Sequence, residues 1–467
     1  MIPESLKKQV VRDKSSVFRR AYVKRMLSTG IFESEWQEIT DDVKRWGRVV
    51  QSVDADRYSK FNFNSLNMTV NNEDGSYLAE DDTRSFWYGY ASQQRTLLRI
   101  EAGYSEKELG EDGIWNVGET PGVQWDVAHW DDPADTFDLR PVIFTGIISG
   151  DIMFSDKYEV ALTVMPILEV FRSFPARNLT GFTSTGLTAS QFCELLRDQT
   201  DGAGNFLFRP FLNDTTAAWN IQSTTSIYTQ LNTSTAQDII SMNTWEVLER
   251  LAEAEDFVCF VSGDGQFYFR DKDAVTSTAA YEFHGLGSVS REWGHSIKSI
   301  DQFGRKFSKY YSRVSVQWSK EDTTTSYAIV ETSLTVSGLS SPWIYGHRTL
   351  EIANYWIPSA TTAQILAQNI YDNVNALKRE VKMTTVFLPG LNVSDKISVN
   401  YDPSQAAEES LWDLNNWGDT GTAILSDDLV WDLAIGDSFY LNQEEMKIVQ
   451  IELDLDKLDT KITARET

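Results

Sequence analysis

One eight-residue pattern occurs at two distant places in the chain. Residues 125–132 read Trp-Asp-Val-Ala-His-Trp-Asp-Asp, and residues 412–419 read Trp-Asp-Leu-Asn-Asn-Trp-Gly-Asp. Both fit Trp-Asp-Φ-x-x-Trp-x-Asp, where Φ is Val or Leu, and Trp431-Asp432-Leu433 echoes the first half. The chemistry open to such a segment is recognition. Each Trp offers a large apolar face and one N–H donor, and the adjoining carboxylate offers charge and acceptors. In one reading Trp125, Asp126, Trp130, Asp132, Trp412, Asp413, Trp417, Asp419 and Trp431 are contact residues that dock on a neighbouring chain, as aromatic interface anchors do. In the other reading each Trp folds back onto its own domain.

Nothing else in the sequence selects a reaction. There is no glycine-rich phosphate loop, no Cys/His metal spacing and no nucleophile elbow. His129, His284, His295 and His347 are scattered, and a triad would have to be assembled by folding. Asp131, Asp132 and Asp135 are oxygen donors of the kind calcium takes, but their spacing matches no defined loop. Asp454 and Asp456 alternate with leucines, which reads as the wet face of a strand. Cys193 and Cys259 stand in apolar contexts and read as small buried hydrophobes. The expectation is a protein with no catalytic residues, metal or cofactor. The abundance of Trp and acids leaves open a carbohydrate-binding, receptor-binding protein or a glycoside hydrolase. Hydrolysis would need two carboxyls about 5 Å or about 6.5–9.5 Å apart across a cleft, and no pair stands out.

Charge is distributed unevenly. The 467 residues carry a net −26. Residues 1–25 hold Lys7, Lys8, Arg12, Lys14, Arg19, Arg20, Lys24 and Arg25 against Glu4 and Asp13, a net of +6 that leaves −32 for the remainder. An acidic body repels phosphates and anionic membranes, so neither specific nucleic-acid binding nor membrane association is expected. No apolar run approaches the roughly 20 residues that span a bilayer. Residues 1–44 are expected to be a basic N-terminal arm, docked on an acidic partner surface or on this chain's own body.

The elements that must position these residues are mostly strands. Residues 15–27 fit a helical face through Phe18, Tyr22 and Met26, and fit a strand through Val17, Ala21 and Val23. From residue 46 the text alternates like strands, notably in Lys60–Val70, which ends at the turn Asn71-Asn72-Glu73-Asp74-Gly75. Two amphipathic helices are expected in the middle, one capped by Ser190 and one by Asn243 or Thr244, the second leading into a hairpin around residues 262–265. The chain length is that of roughly two to four domains. The expected fold is mainly β with an α+β insert, as two related β-barrel-like domains flanking a small α+β domain. Their bounds are 45–178, with a Trp-rich excursion at 105–140; 179–284 for the α+β unit; and 285–467, with a helix at 361–380 and a second excursion at 402–432.

Several segments resemble tail hub proteins of tailed bacteriophages. They are KFNFNSLNMTVNNEDGSY with its Asn72, Asp74, Gly75 and Tyr77, then SFWYGYASQQRTLLRIEAGY, the pair FTGIISGD and YEVALTV, and the closing GDSFYLNQEEMKIVQIELDLD to TKITARE. The resemblance spans roughly 45–175 and 240–467; the first 44 residues and the two Trp-rich excursions depart from it. It implies a non-enzymatic virion structural protein of the baseplate or tail tip. Such a protein is a homotrimeric ring at the distal end of the tail tube. Its implied partners are the tail tube or a distal tail protein, a fibre or spike protein, and the tape measure protein, with DNA ejected past it.

Overall fold

The computed structural model describes residues 15–54, 60–77, 83–90, 96–106, 141–149, 153–156, 158–212, 218–233, 239–272, 279–285, 296–305, 309–321, 323–331, 347–375, 378–401 and 441–466. The chain begins with β1 (Ser15–Lys24), β2 (Gln37–Glu38), β3 (Val43–Arg45), β4 (Arg48–Val53), β5 (Phe61–Phe63), β6 (Leu66–Asn71), β7 (Leu97–Glu106), β8 (Val142–Ile148), β9 (Met153–Asp156) and β10 (Glu159–Pro166). The middle holds α1 (Leu168–Ser173), β11 (Leu187–Thr188), α2 (Ala189–Asp198), β12 (Trp219–Ile221), β13 (Ile227–Tyr228), α3 (Thr244–Glu255), β14 (Phe257–Val261) and β15 (Phe267–Asp271). The last part holds β16 (Tyr281–His284), β17 (Ile297–Arg305), β18 (Arg313–Gln317), β19 (Tyr327–Glu331), β20 (Thr349–Ala353), α4 (Ala360–Val374), β21 (Arg379–Val386), β22 (Lys396–Tyr401), β23 (Leu441–Asp454) and β24 (Asp459–Glu466).

The fold is mainly β, with the α+β unit between two large sheets. The first sheet runs β2-β1-β7-β8-β10-β6-β3, with β9 on β10. The second runs β16-β22-β23-β24-β21-β17, with β4 and β5 added on β23. Number the six principal strands of each sheet by their place in the chain, and both sheets have the order 1-4-5-6-3-2. Four of the five pairings also agree in sense, all antiparallel. The exception is the first strand, antiparallel as β1 on β7 but parallel as β16 on β22. In both sheets the connection from the fourth to the fifth strand is the Trp-rich excursion, residues 107–140 in one and 402–440 in the other.

The run Lys60–Val70 is not one strand. Phe61, Phe63, Leu66, Met68 and Val70 are all buried, which a single period-2 strand cannot achieve. The break at Asn64-Ser65 shifts the alternation by one residue and splits the run between sheets. Phe61–Phe63 pairs with β4 beside the second sheet, and Leu66–Asn71 pairs with β10 in the first. Strands β4 and β5 therefore belong to the second sheet, although the sequence places residues 45–63 with the first. The two phenylalanines join the units: Phe63 meets Phe144 of the first sheet edge-on at 5.4 Å, and Phe61 lies 5.6 Å from Phe260 of the α+β unit.

Local sequence explains the remaining boundaries. Gly75 takes φ +78° in the turn after β6, and the buried Asn72 side chain accepts from the Tyr77 N–H at 2.8 Å. Helix α3 begins with a reciprocal cap in which Asn243 accepts from the Glu246 N–H and Glu246 accepts from the Asn243 N–H, at 2.9 and 3.0 Å. Helix α2 is capped by Thr188 with Gln191, two residues before the expected Ser190. Helix α4 buries Ala363, Leu366, Ala367, Ile370 and Val374 and packs on the three-stranded sheet β19-β18-β20. Asp454 is buried rather than wet: its carboxylate meets Arg48 Nε at 3.1 Å and accepts from the Lys457 N–H in the β23–β24 turn. No helix among the described residues is long and apolar enough to cross a membrane.

Candidate functional site

Strand β1 settles the first ambiguity. Ten residues pair with β7 in unbroken antiparallel register from Ser15↔Glu106 to Lys24↔Leu97. Ala21 and Val23 are buried on one face, so the alternation decides for strand over helix. Arg19, Arg20 and Lys24 are thus inside a sheet rather than on a separate arm, and Arg25 follows directly after it. Arg19 donates to the Leu455 carbonyl, and its guanidinium lies 5.1 Å from the Trp46 ring. Arg20 lies 3.9 Å from Glu38, and its hydrogen bond with Tyr22 raises its pKa further. Lys7, Lys8 and Arg12 lie outside the described residues.

Arg25 anchors a compact ionic cluster. Its Nε and Nη2 hold the two oxygens of Glu33 at 3.0 and 2.7 Å, its Nη1 donates to the Phe86 carbonyl at 2.6 Å, and Tyr90 donates to Glu33 at 2.8 Å. The guanidinium also stacks on Phe86 and Tyr90, at 4.2 and 3.9 Å. Burial works to raise the Glu33 carboxyl, but the hydrogen bonds from Arg25 and Tyr90 outweigh it and hold Glu33 below the usual carboxylate range.

A cleft of about 1100 Å³ opens beside this cluster, where the two sheets and the α+β unit meet. Leu97 and Arg99 of β7, Ile143 of β8, Gln51 of β4 and Leu453 of β23 line it. The hairpin turn after β14 closes one side. It reaches β8 because residue 263 is glycine: a Cβ there would fall on the Ile143 carbonyl, and Thr145 Oγ1 donates to the Gly263 carbonyl at 3.0 Å. Trp36 stands in the wall between two cations, Lys24 at 5.8 Å and Arg99 at 5.7 Å from its ring. No sequence signal marks this cleft, because its lining comes from segments scattered between Lys24 and Leu453.

The Trp-Asp residues singled out above, Trp125, Asp126, Trp130, Asp132, Trp412, Asp413, Trp417, Asp419 and Trp431, lie outside the described residues, as do Asp131 and Asp135. The structure places only their roots. The first excursion leaves β7 after Glu106 and returns at Pro141 and Val142, both in the cleft wall. The second leaves β22 after Tyr401 and returns at Leu441, away from it. Of the histidines, His284 is buried on β16, with Glu282 at 3.7 Å, and His347 is exposed. Both cysteines are buried and unpaired, and burial pushes their thiols up. Among the described residues no three His, Cys, Asp or Glu side chains are grouped to hold a metal.

No family model matches the chain, and no curated protein matches it. Solved structures do. A 43 kDa tail protein of prophage MuSo2 from Shewanella oneidensis is 11% identical, with a TM-score of 0.48 over 96% of this chain and 98% of that one. A tail protein from Neisseria meningitidis MC58 is 10% identical, with a TM-score of 0.48 over 96% of each. A prophage tail protein from Listeria monocytogenes EGD-e is 8% identical, with a TM-score of 0.44 over 96% of this chain and 94% of that one. All three of these solved structures are tail proteins.

Proposed function

We propose that this chain is a virion structural protein, a tail hub forming a threefold ring at the distal end of a phage tail tube and joining it to the fibre, spike or tip. The observation that carries this is the shared strand order of the two sheets, 1-4-5-6-3-2, with a Trp-Asp excursion at the same connection of each. Two like sheets per chain give a trimer six similar faces. A tube built of sixfold rings can then meet a threefold ring at every position, which one face per subunit would not allow. The resemblance of the sequence to tail hubs supports the same reading.

The acidic composition suits the role. With −32 spread over the chain after residue 25, a central channel would repel the phosphates of passing DNA. The proposal assigns the protein no catalytic step; its partners are other copies of itself, the tube or a distal tail protein, the tape measure protein, and the fibre or spike. The two excursions, with Trp125, Trp130, Trp412, Trp417 and Trp431, are the loops we assign to contacts with neighbours. Native mass spectrometry of the purified chain tests the stoichiometry. The proposal expects three times 53.0 kDa, alone or on addition of tube protein. A chain that stays monomeric and occurs once per particle contradicts it.

A further inference from the structure

Two side chains of the cleft lining are apolar and yet held in water. Ile31, in the turn between β1 and β2, is 55% exposed, and Phe206 is 38% exposed. Neither is loosely placed. Asp201 accepts from the Ala203 and Asn205 N–H groups, both at 2.8 Å, and so fixes the loop that leads to Phe206. The Arg209 guanidinium stacks on the Phe206 ring at 3.9 Å, and its Nε donates to the Arg197 carbonyl at 3.0 Å. Phe32 meets Phe211 edge-on at 5.4 Å, which ties the β1–β2 turn to the segment after Phe206. The same cleft presents cations. Lys24 is half-buried and makes no ion pair among the described residues. The Arg99 side chain is 32% exposed, although its Nη2 holds Glu101. Of the acids in the lining, Glu33 is matched by Arg25, and Asp264 is bonded to Ser262 and Gln266 in the turn after β14.

We propose that the cleft takes an extended peptide segment of a partner protein, one that sets an apolar side chain beside a carboxylate. Size favours a peptide over a small molecule. The cleft holds about 1100 Å³, more than the roughly 300–1,000 Å³ of ordinary ligand pockets. Placement favours an apolar anchor. A solvent-facing ring that is already immobilised loses little freedom on binding, so a partner side chain seated against Phe206 and Ile31 keeps most of its burial energy. Fixed aromatic groups of this kind are the anchors of protein interfaces. Charge selects the acid. In a chain of net −26, Lys24 and Arg99 stand 5.8 and 5.7 Å from the Trp36 ring and make this part of the wall cationic. A carboxylate that meets Lys24 gains a charged hydrogen bond, whereas a basic segment meets like charge. Asp264 sets the opposite preference at the turn after β14, so the carboxylate belongs beside Lys24. The inference concerns the cleft alone: a failed stoichiometry test of the ring leaves it standing.

Selection from a library of random octapeptides, panned on the immobilised full chain, tests this. Enriched peptides are expected to combine Leu, Phe or Trp with Asp or Glu. The most enriched peptide, synthesised with a fluorescent label, is then titrated by anisotropy. Phe206→Ser and Lys24→Glu are each expected to weaken it about tenfold, the loss of one good contact, and Lys24→Arg to keep it. The bound peptide should slow hydrogen exchange in residues 27–36 and 200–212, which hold Ile31 and Phe206. The proposal is overturned if no peptide is enriched, if the enriched peptides lack carboxylates, if protection appears elsewhere, or if both variants bind as the unaltered chain does. A chain that self-associates, becomes monomeric in Phe206→Ser and enriches no peptide would assign the cleft to a second copy, and that also overturns it. Phe206 is exposed, so its variant is expected to fold; should Lys24→Glu not fold, Phe206→Ser and the exchange map decide.

Discussion

The two sheets share an order of strands but differ in what is attached to them, and the difference separates a common frame from specialised additions. In both, the third to sixth strands form one antiparallel block. The first strand is not bound to that frame: it runs antiparallel as β1 and parallel as β16. The link between second and third strands also diverges. In the first sheet it sends β4 and β5 across to the second, and in the second it holds the small sheet with α4. Four antiparallel strands with one buried face are enough to specify register; the edges are free to vary. The crossing strands join the two sheets, and the cleft opens where both sheets and the α+β unit meet.

The sharpest way to break this comparison is to cut the joint. Phe63→Ala removes a buried ring shared by β5 and β8 and is expected to cost about 3–5 kcal/mol. Thermal unfolding should stay a single transition at lower temperature. Two separate transitions in the unaltered protein would show instead that the sheets are independent. Gly263→Val presses a side chain onto the Ile143 carbonyl and should cost about 3 kcal/mol by lifting the hairpin from β8; hydrogen exchange at Ile143–Thr145 would rise, and unchanged protection there would count against the docking.

Smaller effects come from the ionic cluster and a helix end. Arg25→Ala strands Glu33 and should cost about 2 kcal/mol. Because the folded Glu33 carboxyl is held below its unfolded value, its contribution is present above about pH 4.3 and is lost as pH falls through the depressed folded pKa. Acid titration of stability should therefore be shallower in Glu33→Gln than in the unaltered chain, and an equal slope would exclude Glu33 from the acid response. Asn243→Ala removes one side of the α3 cap and should cost about 1 kcal/mol, read from denaturant midpoints. No change there would mean that packing of α3 fixes its start unaided.

Much of the frame could be read directly. The strand text, the Asn72–Gly75 turn, the Asn243 cap and the terminal β23–β24 hairpin all follow local rules. What escaped was long-range. A two-residue break at Asn64-Ser65 shifts the apolar alternation locally, but that it exchanges one sheet for another is set by partners distant in the chain. Asp454 looked wet by alternation, but its neighbour in space is Arg48, more than four hundred residues away. The cleft was illegible for the same reason, because Lys24, Gln51, Arg99 and Leu453 share no sequence neighbourhood. The Trp-Asp repeat was legible as a repeat; that it marks equivalent connections became visible only once the strand orders were known.

The central claim is that like sheets occupy like positions in a threefold ring. Electron microscopy of the assembled particle, with this chain located, tests it most directly. The account predicts three copies in one ring at the distal end of the tail tube, with the first and second sheets alternating at six positions around the axis. One copy per particle, or a ring that holds only one of the two sheets, would contradict it.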